Sequence, residues 1–231
     1  MSSADPTLPP WLRAGDPRPG PRPGLSLDDI AAVCVRLADG EGLAALSMRR
    51  VAEELGTGAA SLYRYVSGKS ELVSLMCDRV AAEYEFEPVT GDLRADVLSV
   101  ADQARAVYRR HPWMTGVNPG GLGPNGLRYL DHMAAVLAPA RLDPAATMTG
   151  IAMLSGWVTV FSAQEAAGQV VPAAAEPDHI AAMLRMGDYP HLAALFSRTD
   201  APGRAAVDAD AVFRAGVEAL LFGIAGGAVS E

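Results

Sequence analysis

The chain reads as all-α: a small three-helix helix-turn-helix module at the N-terminal side, followed by a larger helical body. Three observations predict this. Apolar residues recur at helical spacing from Ile30 onward; no alternating strand pattern appears; and glycines, prolines and capping residues punctuate the helices. With 231 residues, half of them hydrophobic and a fifth charged, the chain has the composition of a packed protein of one or two domains.

Residues 1–24 hold seven prolines and no apolar period and read as a disordered arm, with Arg13, Arg18 and Arg22 as its cations. Ser26 caps the first helix, with Asp28 and Asp29 in its first turn. Ile30, Val33, Cys34 and Leu37 form its stripe, and Gly40 and Gly42 end it. Ser47 starts a short second helix with Met48, Val51, Ala52 and Leu55 inward; Gly56 stops it. Thr57 is expected to cap a third helix, with Leu62 and Val66 inward. A fourth runs from Lys69 to about 86 and carries Leu72, Leu75, Met76 and Val80 on one face. Further helices are expected over 92–110, 125–138, 143–169, 178–187 and 208–226, with loops at 115–124, 170–177 and 198–207. Asp143 before Pro144 is an N-cap followed by proline at the first helical position. Residues 144–164 carry no charge, yet their threonines, serines, glycines and Gln164 suit a buried or interface helix better than a membrane span.

Several chemistries are excluded. Cys34 and Cys77 make neither a disulfide framework nor a zinc pair, and the four histidines show no metal-ligand spacing. No metal or cofactor is expected. The string Gly121-Leu-Gly-Pro-Asn-Gly126 spells a dinucleotide motif, but no strand precedes it, so it reads as a loop. Gly68-Lys69-Ser70 ends like a P-loop, but Tyr63 stands where the first glycine belongs. No nucleophile–base pair is evident, so the chain is not read as an enzyme. The N-terminus lacks a signal-peptide pattern, and a cytoplasmic location is expected.

The net charge of −8 argues against nucleic acid only if it is uniform. Residues 1–80 carry nine basic and ten acidic groups, the remainder ten and seventeen. Within 47–70, Arg49, Arg50, Arg64 and Lys69 outnumber Glu53 and Glu54. Two short helices meeting at a turn with Gly56 have the form of a helix-turn-helix. The second opens on Gly58, Ala59, Ala60 and Ser61, small residues that let a helix end approach base edges; Tyr63, Arg64 and Tyr65 follow. Lys69, the only lysine, sits at a helix N-terminus, where it opposes the helix dipole; phosphate contact accounts for it better.

The run Leu46-Ser47-Met48-Arg49-Arg50-Val51-Ala52-Glu53-Glu54-Leu55-Gly56, then Ser61-Leu62-Tyr63-Arg64-Tyr65-Val66 and Lys69-x-Glu71-Leu72, resembles the DNA-binding domain of the TetR family of bacterial regulators over roughly 27–80. Farther on, Tyr108-x-x-His111-Pro112-Trp113, Gly126-x-x-Tyr129-Leu130 and Asp143 before a long apolar helix resemble the ligand-binding and dimerisation domain of the tetracycline-repressor branch. Arg64 departs from the aromatic residue of tetracycline repressors, and their metal–drug ligand set has no counterpart here. The resemblance implies residues 25–70 as the DNA-binding domain and 71–231 as the ligand-binding and dimerisation domain. It implies a homodimer that leaves a palindromic double-stranded operator when a small-molecule effector binds, with helix 69–86 as the lever. Ser47, Arg49, Ala59, Ala60, Ser61, Tyr63, Arg64, Tyr65 and Lys69 are the expected DNA contacts. Two alternatives stay open: a helical enzyme or ligand carrier with a vestigial helix-turn-helix, and a DNA-binding regulator with no small-molecule effector.

The C-terminal helix is apolar on more than one face through Ala211, Val212, Ala215, Ala219, Leu220, Phe222 and Gly223, as a dimer interface requires. For the effector, Met153, Trp157, Phe161 and Gln164 share one helical face. With Trp113 and His132 the expected pocket is Trp113, His132, Trp157, Phe161 and Gln164, taking a flat, moderately apolar molecule.

Overall fold

The computed structural model describes residues 9–13, 25–117, 121–170, 177–198 and 208–226. Among these, regular structure is entirely helical. Of the N-terminal arm, Arg18, Arg22 and the side chain of Arg13 lie outside the described residues. Pro10–Arg13 form one helical turn, with Pro10 buried and Trp11 packed on the first core, so this part of the arm is not the solvated tail its composition suggests.

Helix α1 (Leu27–Glu41) begins in a capping box: Ser26 Oγ accepts from the Asp29 amide and Asp29 accepts from the Ser26 amide, both at 3.0 Å. Gly42, at φ 79°, ends it in a conformation open to glycine. Helix α2 (Met48–Glu54) is capped by Ser47, whose hydroxyl accepts from the Arg50 amide at 3.2 Å. Helix α3 (Ala59–Leu62) is a single turn. Its N-cap is Gly58 with no side-chain hydrogen bond, so the cap expected from Thr57 is not made. Four residues cannot hold a helix by propensity. Leu62, fully sealed, anchors it, and its removal would cost about 2–5 kcal/mol.

Helix α4 (Lys69–Ala81) stops five residues before the expected end. Pro88 disfavours helix upstream of it, and Tyr84 and Phe86, two apart, stack their rings at 6.3 Å, which a helix forbids. Ile30, Cys34, Val51, Leu62, Leu72 and Met76 form the heart of a first core, so α4 completes the module of α1–α3 as well as leading out of it.

The larger body comprises α5 (Leu93–Arg110), α6 (Pro124–Leu137), α7 (Pro144–Ala166), α8 (Pro177–Met186), α9 (Pro190–Arg198) and α10 (Ala209–Ile224). Asp92, Asp143 and Asp208 cap α5, α7 and α10. Helix α9 was not expected; it opens on Pro190, a residue suited to a first turn. The second core joins Val97 and Val100 of α5, Met133 and Leu137 of α6, Leu154, Val158 and Phe161 of α7, and Phe213, Val217 and Leu221 of α10. Helix α7 has the length and composition of a membrane span, but its Ile151, Leu154, Val158 and Phe161 supply this core.

Helices α7 and α10 approach closely at Gly216. A Cβ there would fall 2.1 Å from Trp157 Cζ2, and Trp157 Nε1 donates to the Phe213 carbonyl at 3.2 Å. Arg105, 3% exposed, binds the three helices α5, α7 and α10 together. Its guanidinium lies 4.9 Å and 4.7 Å from the ring centres of Phe161 and Phe213 and donates to both oxygens of Glu165 at 3.1 and 2.6 Å.

The two cores are tied at the end of α5. His111 places Nδ1 2.8 Å from Asp39 of α1 and Nε2 3.0 Å from Glu83, Trp113 Nε1 donates to Asp39 at 2.7 Å, and Arg110 donates to Glu83 at 2.8 Å.

Candidate functional site

The helix-turn-helix presents its expected contacts unequally. Ala60, Tyr63 and Arg64, at i, i+3 and i+4, are exposed on the side of α3 opposite Leu62; Tyr63 is 56% accessible. Ser47, Arg49 and Lys69 are also exposed. Ser61 is half-buried, while Ala59 and Tyr65 pack partly against the first core and help seat α3. Arg49 pairs with Glu53 at 2.8 Å. Arg50, not among the expected contacts, pairs with Glu41 and Glu54, both at 3.1 Å. Such exposed pairs are worth little and yield readily to phosphate. Lys69 Nζ donates to the Leu43 carbonyl at 3.3 Å, and the Ser67 amide donates to Glu71 at 2.7 Å. Glu71 thus supplies the negative charge that the α4 N-terminus prefers, leaving Lys69 placed against the dipole.

The same helix reaches a cavity of about 300 Å³ in the larger body. Cys77, Asp78 and Ala81 of α4 form one wall, and Ala104 and Tyr108 of α5 a second. Gly121, Leu122, Gly123, Gly126 and Tyr129 come from α6 and the loop before it, and Ser155 and Val158 from α7. Tyr84 and Met114 close the remainder.

Asp78 is central. Its Oδ1 accepts from the amides of Asn125 and Gly126, both at 2.9 Å, and its Oδ2 accepts from Asn125 Nδ2 at 3.1 Å. Helix α6 has no cap of its own: its N-cap residue is Gly123, and the carboxylate of α4 takes that role. Glycine at 123 is required, because a Cβ there would fall 2.3 Å from Asp78 Cγ. The string from Gly121 to Gly126 is therefore not a nucleotide loop but the cradle for this carboxylate.

Three tyrosines dominate the remaining lining. The rings of Tyr84 and Tyr129 lie 4.7 Å apart, and Tyr108 Oη and Thr159 Oγ1 share a hydrogen bond at 2.8 Å. Burial pushes all three phenols above their ordinary values; for Tyr129 a hydrogen bond with Ser155 partly offsets it. Burial likewise pushes the Cys77 thiol up to about 11, so it is not a reactive thiolate. Among the described residues, no three His, Cys, Asp or Glu side chains converge as a metal site requires.

None of the five residues expected to line a pocket lines this one. Trp113 belongs to the first core and is held by Asp39. Phe161 is sealed in the second core beneath Arg105, with Trp157 beside it at 5.6 Å against α10. The His132 ring rests on Phe86 at 5.1 Å. Gln164 is half-buried near the end of α7, and its neighbour Glu165 is engaged by Arg105 and Arg109. Residue type and helical period find large side chains, but not which of them a sealed core has already consumed.

Several large apolar side chains of α7 and α10 are left exposed. Met148, Met153 and Val160 of α7 and Phe222 of α10 are 45–59% exposed. Ala211, Ala215, Ala219 and Gly223 are exposed on α10, whereas Val212 and Leu220 turn partly into the second core.

Known proteins resemble this chain over most of its length. A family model described as "Bacterial regulatory proteins, tetR family" matches residues 30–76, and one described as "Tetracyclin repressor-like, C-terminal domain" matches 87–226. The HTH-type transcriptional repressor DrrR1 of Streptomyces coeruleorubidus is 43% identical over 152 residues, which are 64% of this chain and 56% of that relative. An HTH-type transcriptional regulator of Saccharopolyspora erythraea is 32% identical over 186 residues, 76% of each chain. Among solved structures, the TetR family protein ActR of Streptomyces coelicolor in complex with actinorhodin superposes with a TM-score of 0.72 at 29% identity, covering 89% of this chain and 98% of that one.

Proposed function

The chain belongs to the TetR family of bacterial regulatory proteins, and we propose that it is a DNA-binding transcriptional repressor released from its operator by a small molecule held in the cavity beside α4. The observation that carries this reading is that one helix serves both ends. Lys69, in the first turn of α4, stands on the DNA-reading side, and Asp78, nine residues on and about 13 Å along the axis, forms the cavity wall. An effector that displaces this wall tilts the helix on which the reading module is built. Coupling between two such sites is typically about 1–3 kcal/mol, roughly a 5- to 150-fold change in operator affinity. That ActR was solved with actinorhodin bound, and that DrrR1 is named a repressor, supports the same assignment.

In this reading residues 25–70 bind DNA, residues 71–231 take the effector and a second copy of the chain, and α4 straddles the boundary. Ser47, Arg49 and Lys69 meet the phosphate backbone, as does Tyr63, while Ala60 and Ser61 face the groove floor beside Arg64. Ala59 and Tyr65 set the pitch of α3. The exposed apolar face of α7 and α10 is covered by its equivalent in a partner, and two recognition helices about 34–36 Å apart read a palindrome. The chain is a regulator rather than an enzyme and works in the cytoplasm, where its operator lies.

The test is a gel shift of the protein against the DNA upstream of its own gene, with a thermal-shift screen of a metabolite library alongside. A specific complex dissolved by a compound that raises the melting temperature is expected. Turnover or ligand binding with no specific DNA complex would overturn the reading.

A further inference from the structure

The reading above leaves the chemistry of the effector open, and the charge inventory of the cavity narrows it. Among the lining residues there is one formal charge, the carboxylate of Asp78, and no lysine, arginine or histidine. From this inventory we infer that the effector is a flat aromatic molecule bearing a cationic amine, and that this amine docks on Asp78 Oδ2. The inference rests on the cavity being the effector site.

Four features support it. First, Asp78 has acceptor capacity left. Oδ1 carries two amide hydrogen bonds, but Oδ2 carries one, from Asn125 Nδ2, and a carboxylate oxygen accepts two. Second, the two amides at the start of α6 that would otherwise receive an anion are already taken by this carboxylate. Third, burial holds the phenols of Tyr84, Tyr108 and Tyr129 in their neutral form, so they add no charge to that of Asp78 in the lining. An anionic ligand would bring a like charge beside Asp78 with no cation in the lining to offset it. Fourth, the tilted pair Tyr84–Tyr129 offers aromatic faces to a flat cation. At about 300 Å³ the cavity is at the small end for a ligand site, so it takes one compact ring system.

The same contact would transmit the signal. An amine that takes the free acceptor site of Oδ2 draws the carboxylate toward the ligand, and the same oxygen holds Asn125 Nδ2, part of the tie between α4 and the α6 N-terminus. Binding there loosens the helix that carries Lys69.

The experiment uses three probes of one shape: 9-aminoacridine, a cation at neutral pH; acridine, neutral; and acridine-9-carboxylate, an anion. Their affinities for the full-length protein, free of DNA, are measured by calorimetry. The order expected is cation over neutral over anion, with the cation bound roughly 10- to 100-fold more tightly than the anion, as a hydrogen bond to a charged group gives. In Asp78→Asn, with folding checked by circular dichroism, the cation and the neutral probe should bind alike. Equal or tighter binding of the carboxylate by the wild type overturns the inference without any variant. So does a charge preference that survives in Asp78→Asn. Failure of all three probes to bind removes the cavity as an aromatic-ligand site, and the reading on which the inference rests goes with it.

Discussion

Replacing Gly123 by alanine isolates the tie between α4 and α6. Its backbone, at φ −85°, suits any residue, so the substitution brings no backbone strain. By itself the loss of chain freedom in the unfolded state would stabilise by about 0.4–1 kcal/mol. The new Cβ, however, would lie 2.3 Å from Asp78 Cγ and Oδ1, so the carboxylate must leave. Its departure breaks the bonds to the Asn125 and Gly126 amides and to Asn125 Nδ2. Hydrogen bonds to a charged group contribute about 1.5–3 kcal/mol each. Because the displaced carboxylate regains water and the freed amides are partly hydrated through the cavity, we expect a net cost of about 2–4 kcal/mol. A chain of this length loses roughly 2–4 °C of melting temperature per kcal/mol, so the midpoint should fall by roughly 5–15 °C.

The assay is a double-mutant cycle with Asp78→Ala, followed by urea denaturation. Asp78→Ala alone should cost about as much as Gly123→Ala. In the Asp78→Ala background the methyl group meets empty space, and Gly123→Ala should then be neutral or slightly stabilising. The coupling energy should therefore be about 2–4 kcal/mol. If Gly123→Ala costs the same in both backgrounds, the carboxylate is not what glycine at this position accommodates, and the mechanical link from cavity to reading module is lost.

Lys69→Ala should weaken specific and non-specific DNA binding alike and flatten the dependence of log K on log salt by about 0.9, because one phosphate contact is removed; an unchanged slope assigns Lys69 to the Leu43 carbonyl alone. Phe222→Arg, on the exposed face of α10, should convert the dimer to a folded monomer in sedimentation at micromolar concentration, leaving the melting of the monomer core intact; a wild type that is itself monomeric there and on DNA refutes the interface. Glu165 is held at about 2, against an ordinary 4.5, first by its hydrogen bond with Arg105 and then by that with Arg109. A carboxylate lowered in the folded state contributes stability that is complete above about 4.5 and is lost as pH falls toward about 2, so urea midpoints should drop across that window, and Glu165→Gln should remove this part of the drop.

The reading module was legible in the sequence because its signals are local. Ser26 and Ser47 cap their helices as expected, and Ile30, Val33, Cys34, Leu37, Val51, Leu62, Leu72 and Met76 are buried as their spacing predicts. Thr57 misled because α3 is too short to be specified by its own ends; Leu62 fixes it from inside the first core. The end of α4 misled because Tyr84 and Phe86 suit either period, and Pro88 with the aromatic stack decides the matter.

The cavity was not legible, and α7 shows why. A helix apolar all round gives no hydrophobic direction from which to read its inward face. The stripe Met153, Trp157, Phe161 and Gln164 carries large side chains, but Met153 lies at the surface and Trp157 packs on Gly216 and donates to the Phe213 carbonyl. What faces the cavity is Ser155 and Val158, roughly 135° around the helix from that stripe and smaller. The lining mixes three tyrosines with the small residues Ala81, Ala104, Gly121, Gly123, Gly126 and Ser155, which leave the space between the helices. Two signals for it did lie in the sequence: the glycines from 121 to 126, and the tyrosines at 108 and 129 within the stretches that resemble the tetracycline-repressor branch. Their meaning depended on Asp78, 47 residues from its partner Asn125 and on a different helix, a pairing that no local period encodes. The residue that joins the cavity to the reading module is thus specified only by the folded chain, and in the reading proposed above it is there that the charge of an effector is converted into a tilt of α4.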